Sequence, residues 1–214
     1  MPARYLPVID CYSRGSKIRF HAILDLCNTQ SCFVRGVKIS QNGHAVNCCC
    51  PANSACSFSI RSHISEHQER ISKATLLAFE QKMATLNFSQ AFNDFEEFFQ
   101  YVAHNSGLAN GCCLLVYDFC LRMGHHMSPK VEPYKYVYLF RGAREGAEAV
   151  LGRLKSSIYK LPTAFLQDAL SAHSLTSMEI EDFLCVCESH IRTLGGLSSA
   201  TINSLCKKHG VTLP

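Results

Sequence analysis

The stretch "CCLLVYDFCLRMG", residues 112–124, sets Tyr117, Asp118 and Arg122 into an otherwise apolar run. Asp118 and Arg122 are one helical turn apart, so a carboxylate and a guanidinium share a face. If exposed, such a pair contributes only about 0.3–0.5 kcal/mol. The spacing fits either a surface ion pair beside a core helix or the border of a cleft. In the second case the other wall comes from "YVYLFRGAREGAEAVLG", where Tyr138 lies in a strand pattern and Arg141 and Arg144 open the helix after it. Unpartnered N–H groups at a helix start favour anions, and arginine adds bidentate donors. Tyr117, Asp118, Arg122, Tyr138, Arg141 and Arg144 would then line a pocket for an anionic small molecule or nucleotide.

Other chemistry would come from the thirteen cysteines. Cys112 or Cys113, at a helix start, would have a lowered thiol pKa, with His104, His125 or His126 as base. So many cysteines make a Cys–His coincidence expected by chance, and His125-His126, after a helix stop, are expected in solvent. Zinc wants four Cys/His ligands, often from paired turns. Cys27, Cys32, His44, Cys48, Cys50 and Cys56 lie close in sequence but contain no C-x2-C pair. No metal or other cofactor is expected; zinc on Cys27, Cys32, Cys48 and Cys56 is the weak alternative. "YLFRG" and Glu179-Ile180-Glu181 resemble the two ends of an ADP-ribosyltransferase site. Their interval is short for that fold, and acidic residues in a first helical turn also satisfy the helix dipole.

The elements that must position these groups change character along the chain. "YLPVIDCY", "KIRFHAILDLC", "SCFVRGVKIS" and "HAVNCCC" are rich in β-formers and separated by turn residues, with Asn42-Gly43 as a hairpin signal. They predict an antiparallel meander. From residue 64 the period is helical. Ser65 with Gln68 starts a helix to about Thr85, and Asn93 with Glu96 caps the next. The 112–124 helix is expected to stop at Gly124. A strand "YVYLF" leads into a helix of small residues able to approach a neighbour closely. "LPTAFLQDAL" is a short helix. Thr176 and Glu179 make a capping box with Leu175 and Ile180 as its staple, and Ser198 or Ser199 caps a last helix. The predicted fold is α+β, with a basic antiparallel β segment over 1–60 packed beside a domain of about seven helices over 61–214.

Apolar residues are 47% and charged residues 18% of the 214, a globular composition. No apolar run reaches the ~20 residues that span a bilayer, and no signal peptide is expected from the opening residues. A cytoplasmic protein with reduced thiols, not membrane-bound, is the expectation, with export lacking a cleaved signal left open. The net charge of +4 is uneven: residues 1–63 hold seven Lys/Arg against two Asp, and the remainder balances to −1. A polyanion partner suits that basic segment, as does a solvated basic face.

"FNDFEEFFQYVAHNSGLANGCCLLVYDFCLRMG", "PYKYVYLFRGAREGAEAVLG", "LPTAF" and "MEIEDFLCV" together resemble a group of uncharacterised bacterial proteins over residues 92–191. That likeness implies one structural unit and no particular chemistry. More loosely, "SGLANGCCLLVYD" and "LGGLSSATINSLCKKHG" resemble the helix-hairpin-helix of DNA-binding proteins, whose Gly-x-Gly turn points N–H groups at a phosphate. Here Gly107 and Gly111 are four apart, and Gly195-Gly196 are followed by serines. The resemblance implies backbone contacts at Gly107 and Gly111, assisted by Lys207 and Lys208, with Arg14, Lys17, Arg19, Arg35 and Lys38 adding phosphate contacts from the β segment. The first expectation is therefore a non-catalytic nucleic-acid-binding protein. An enzyme using the anionic pocket, or an interaction module without chemistry, are its rivals.

Overall fold

A computed structural model describes residues 3–26, 73–88, 91–108 and 113–213. Among them are ten α-helices and a two-stranded antiparallel sheet. A 3-10 turn, Ala3–Tyr5, opens into α1 (Leu6–Arg14) and α2 (Ser16–Leu26). Next come α3 (Lys73–Thr85), α4 (Phe95–Asn105), α5 (Leu114–His126), β1 (Tyr136–Tyr138) and α6 (Arg141–Leu151). After these follow β2 (Lys160–Pro162), α7 (Thr163–Leu170), α8 (Ser177–Val186), α9 (Glu188–Leu194) and α10 (Ser199–His209). The chain forms two compact units, Met1–Phe20 with Pro133–Pro214, and His21–Glu132.

The N-terminal residues depart from the predicted meander. "YLPVIDCY" and "KIRFHAILDLC" are helical, as α1 and α2. The buried side chains Tyr5, Ile9 and Tyr12 fall at i, i+4 and i+7, a helical stripe that outweighs the β-formers around it. Pro7 sits in the first turn, where its missing N–H costs nothing. The segments expected as strands beyond residue 31, with Asn42-Gly43, lie outside the described residues. So do Ser65 and Gln68, although α3 does end at Thr85.

In the first unit α6 packs on α8, and α9 packs on α6. Gly146 makes the α6–α8 crossing possible: a Cβ there would lie 2.1 Å from the Leu184 carbonyl oxygen. Ala143, Ala147 and Val150 continue that small-residue face into one core with Phe165, Ile180, Phe183 and Ile191. Thr176 and Glu179 form the capping box of α8, and Leu175 and Ile180 are buried in the same core. Cys187 interrupts the helical run, dividing it into α8 and α9. "YVYLF" supplies β1, whose Val137 pairs with Leu161 of β2. Bonds from Leu139 N to Tyr159 O (2.7 Å) and Thr163 N to Lys135 O (2.9 Å) extend the ladder at both ends.

In the second unit α4 and α5 pack together. Phe79 meets Phe119 edge-on at 5.6 Å, and Phe95 meets Tyr117 at 6.0 Å. The cap of α4 is Asp94, one residue beyond the expected Asn93. Its side chain accepts from Glu97 N, while Glu97 Oε2 reaches back to Asn93 N at 2.8 Å. Gly124 does not end α5, which continues to His126. It is a contact point: a Cβ would lie 2.1 Å from Val131 O, and Val131 N donates to Gly124 O at 2.9 Å.

Gly146→Ala is expected to cost at least about 2 kcal/mol, because backbone opposes the added methyl on a packed helix. The shift in the urea unfolding midpoint measures it, and an unchanged midpoint contradicts the close crossing.

Candidate functional site

The six residues of the expected anionic pocket are divided between the units. Tyr117, Asp118 and Arg122 lie on α5 of the second, and Tyr138, Arg141 and Arg144 belong to the first. Neither unit assembles the pocket by itself. Every residue of α5 from Leu114 to His125 is buried, with Asp118 9% and Arg122 8% exposed. Asp118 and Arg122 are therefore not a solvated surface pair. They are charges held in the interior of a helix covered on all sides, where charged groups are found only when compensated.

Arg144 does structural work. Its guanidinium donates to the carbonyl oxygens of Ile158 (2.8 Å), Leu154 (2.7 Å) and Lys155 (2.9 Å), and its Nε lies 3.1 Å from Glu148. It closes the loop after α6 onto the helix. A cavity there is lined by Arg144, Glu148, Arg153, Lys155, Ser156 and Ser157, but the Arg144 donors face chain carbonyls. Arg141 is half exposed and pairs with Glu145 at 3.7 Å. Tyr138 is buried and stacks on Phe140.

His125 is buried rather than solvated. Its Nδ1 meets Glu132 Oε1 at 2.5 Å, with Lys130 Nζ 3.9 Å from the same oxygen. His126 Nε2 meets Leu24 O at 2.7 Å. A carboxylate on one ring nitrogen fixes the orientation of the imidazole. Glu132 escapes sequence reading because the turn that returns it to His125 depends on the Gly124–Val131 contact. His104 is exposed on α4, Cys113 is the N-cap of α5, and Cys112 lies outside the described residues. The six cysteines among the described residues are free thiols. Burial pushes the Cys120 thiol well up and that of Cys187 to about 11, which makes both poor nucleophiles at neutral pH. Among the described residues no three His, Cys, Asp or Glu side chains gather to hold a metal. Cys27, Cys32, Cys48 and Cys56 lie outside them.

The basic residues take distinct positions. Arg14 pairs with Asp10 along α1, and Arg19 is exposed on α2. Lys17 lies 3.1 Å from Glu179, whose other oxygen accepts from Thr176 N. It therefore neutralises a buried carboxylate and ties α2 to α8. Arg35, Lys38 and Gly111 lie outside the described residues. Gly107 follows α4 with φ +71°, a conformation that favours glycine.

The second glycine turn is the better defined. Gly195 has φ +77°, and a Cβ on Gly196 would come within 3.0 Å of Ala149 O. Leu197 N donates to Val150 O at 2.8 Å, seating the turn on the end of α6. Tyr5 OH donates to Gly195 O (2.9 Å) and Arg4 Nη1 to Gly196 O (3.1 Å). Ser198 caps α10 by accepting from Thr201 N. Gly196, Ser198, Ser199 and Ala200 are exposed, as is Arg4. Sequence reading did not place Arg4 at this turn, because a contact across 192 residues leaves no local signal. Lys207 and Lys208 are at the far end of α10, about 12 Å along its axis. Lys208 meets Asp168 at 2.5 Å, joined there by His209 at 2.6 Å and His173 at 3.6 Å. Lys208 and His209 hold the Asp168 carboxyl below its usual range, the Lys208 hydrogen bond contributing most. No helix among the described residues is long and apolar enough to cross a membrane. Comparison with known protein families, curated proteins and solved structures finds no match to this chain.

Lys17→Met removes a cation from beside the buried Glu179 and is expected to destabilise by about 1–3 kcal/mol, read from thermal unfolding. The lowered Asp168 pKa contributes stability above the ordinary carboxyl value of 3.8, and that contribution is lost as pH falls through the depressed folded value. Asp168→Asn should therefore lower Tm at neutral pH, and the difference from the parent should shrink on acidification well below 3.8.

Proposed function

We propose that this chain binds nucleic acid without transforming it, and that the α9–α10 turn makes the phosphate contact. The observation that carries this reading is the direction of the turn's backbone. The carbonyls of Gly195 and Gly196 accept from Tyr5 and Arg4, and the Leu197 N–H is spent on Val150. What remains toward solvent is the start of α10, where the first N–H groups of any helix lack intrahelical partners. The helix dipole adds partial positive charge there, and the exposed Arg4 guanidinium lies beside it. A phosphate diester fits that combination of donors and charge. Lys17 and Lys208, committed to Glu179 and Asp168, serve the fold in this reading.

Anisotropy of a labelled duplex of about 20 base pairs tests the reading, with binding expected to weaken steeply as salt rises. Ser199→Glu places a carboxylate at an exposed first-turn position that helices tolerate well. It should weaken duplex binding about tenfold while leaving circular dichroism and Tm unchanged, and Arg4→Gln should lower the salt slope by about one. Duplex affinity insensitive to both substitutions would overturn the assignment of this turn.

A further inference from the structure

The bend after α6 sorts its charged and polar groups into two sets. One set holds the fold. Arg144 takes the carbonyl oxygens of Leu154, Lys155 and Ile158 and pairs with Glu148, whose Oε1 also accepts from Leu154 N at 3.2 Å. Ile158 N donates to Lys155 O at 2.9 Å, closing a turn with Ser156 and Ser157 at its centre. The end of α6 is met as well: Glu148 O accepts from Gly152 N at 2.9 Å, and Val150 O from Leu197 N at 2.8 Å. The other set consists of the side chains of Arg153, Lys155, Ser156 and Ser157, which take part in none of this. All four residues are exposed, and among the described residues their side chains have no hydrogen bond, ion pair or ring contact. They line one cavity of about 840 Å³, together with Arg144 and Glu148.

We infer that this cavity binds the phosphate group of a small phosphomonoester, held by Arg153 and Lys155 with the Ser156 and Ser157 hydroxyls as further donors. Arg144 and Glu148 neutralise each other, so the lining keeps two uncompensated positive charges. A monoester phosphate brings about −1.5 to −2 charges at neutral pH, which matches them. A guanidinium can grip two phosphate oxygens at once, while an ammonium and a hydroxyl each add a single donor. The volume exceeds what a phosphate needs and leaves room for the organic part of the ligand. Glu148 decides between ligand classes, because its carboxylate on the same lining repels a second anionic group. A nucleic-acid strand carries a charge at every phosphate, whereas a small monoester carries its charge at one end. The α9–α10 turn contributes none of these residues, so this site and duplex binding stand or fall separately.

The test follows the phosphorus NMR signals of methyl phosphate and dimethyl phosphate, each titrated with the protein at low salt. Methyl phosphate should bind with a dissociation constant of about 1 mM, and dimethyl phosphate, a monoanion like the nucleic-acid backbone, about tenfold more weakly. Arg153→Gln and Lys155→Gln should each weaken methyl phosphate binding about tenfold, the loss of one charged contact. Tm should stay unchanged in both variants, since neither side chain holds the fold. Equal methyl phosphate affinity in the parent and both variants overturns the proposal, as does equal affinity for the diester. No saturable binding up to about 20 mM also overturns it. If the parent ignores methyl phosphate while both variants lose duplex binding, the bend belongs to the nucleic-acid surface and the small-ligand site is overturned. Methyl phosphate binding that needs both cations, without any duplex binding, supports this site and overturns the turn.

Discussion

The crossing of α6 and α8 exists only because residue 146 has no side chain. With Leu184 O 2.1 Å from where a Cβ would stand, any other residue would force the helices apart. Much of the first unit is measured from that contact. α9 lies on α6 as well, and the Gly195-Gly196 turn is seated on its last carbonyls. The capped start of α8 holds Glu179, which receives Lys17 and with it α2. β1 packs on α8, so the place of the two-stranded sheet is also set by this helix pair. A single close approach therefore fixes both the turn at the head of α10 and the sheet.

Sequence pattern was most informative where local chemistry decides local structure. The Thr176–Glu179 box, the Ser198 cap, the Val-Tyr-Leu strand and the small-residue helix can be read within a few residues, and the structure contains all of them. At the N-terminus, β-forming residues masked the i, i+4, i+7 recurrence of Tyr5, Ile9 and Tyr12. Tertiary burial decided between the two patterns. Gly124 shows a related ambiguity: a glycine near a helix end suits a stop signal, but equally a site where another backbone presses in. Only the position of Val131 separates the two.

The candidate sites were less legible than the fold. Asp118 and Arg122 were conspicuous because charge stands out in an apolar run, yet that conspicuousness marked interior ionic groups in the second unit. Glu132, Arg4 and Asp168 were silent because their partners are distant in sequence or return through a tight turn. Tyr134 and Tyr138 read alike in the strand pattern, and only the structure separates the first, exposed, from the second, which is a core aromatic.

The arch from residue 152 to 158 has an energetic corollary. A loop of that length left to itself would sample many shapes, and any molecule meeting it would bear the entropy of choosing one. Arg144 has already made the choice, gripping three carbonyl oxygens from inside the bend. Arg153 and Lys155 are consequently carried on a stiffened frame, whose backbone has little freedom left to lose.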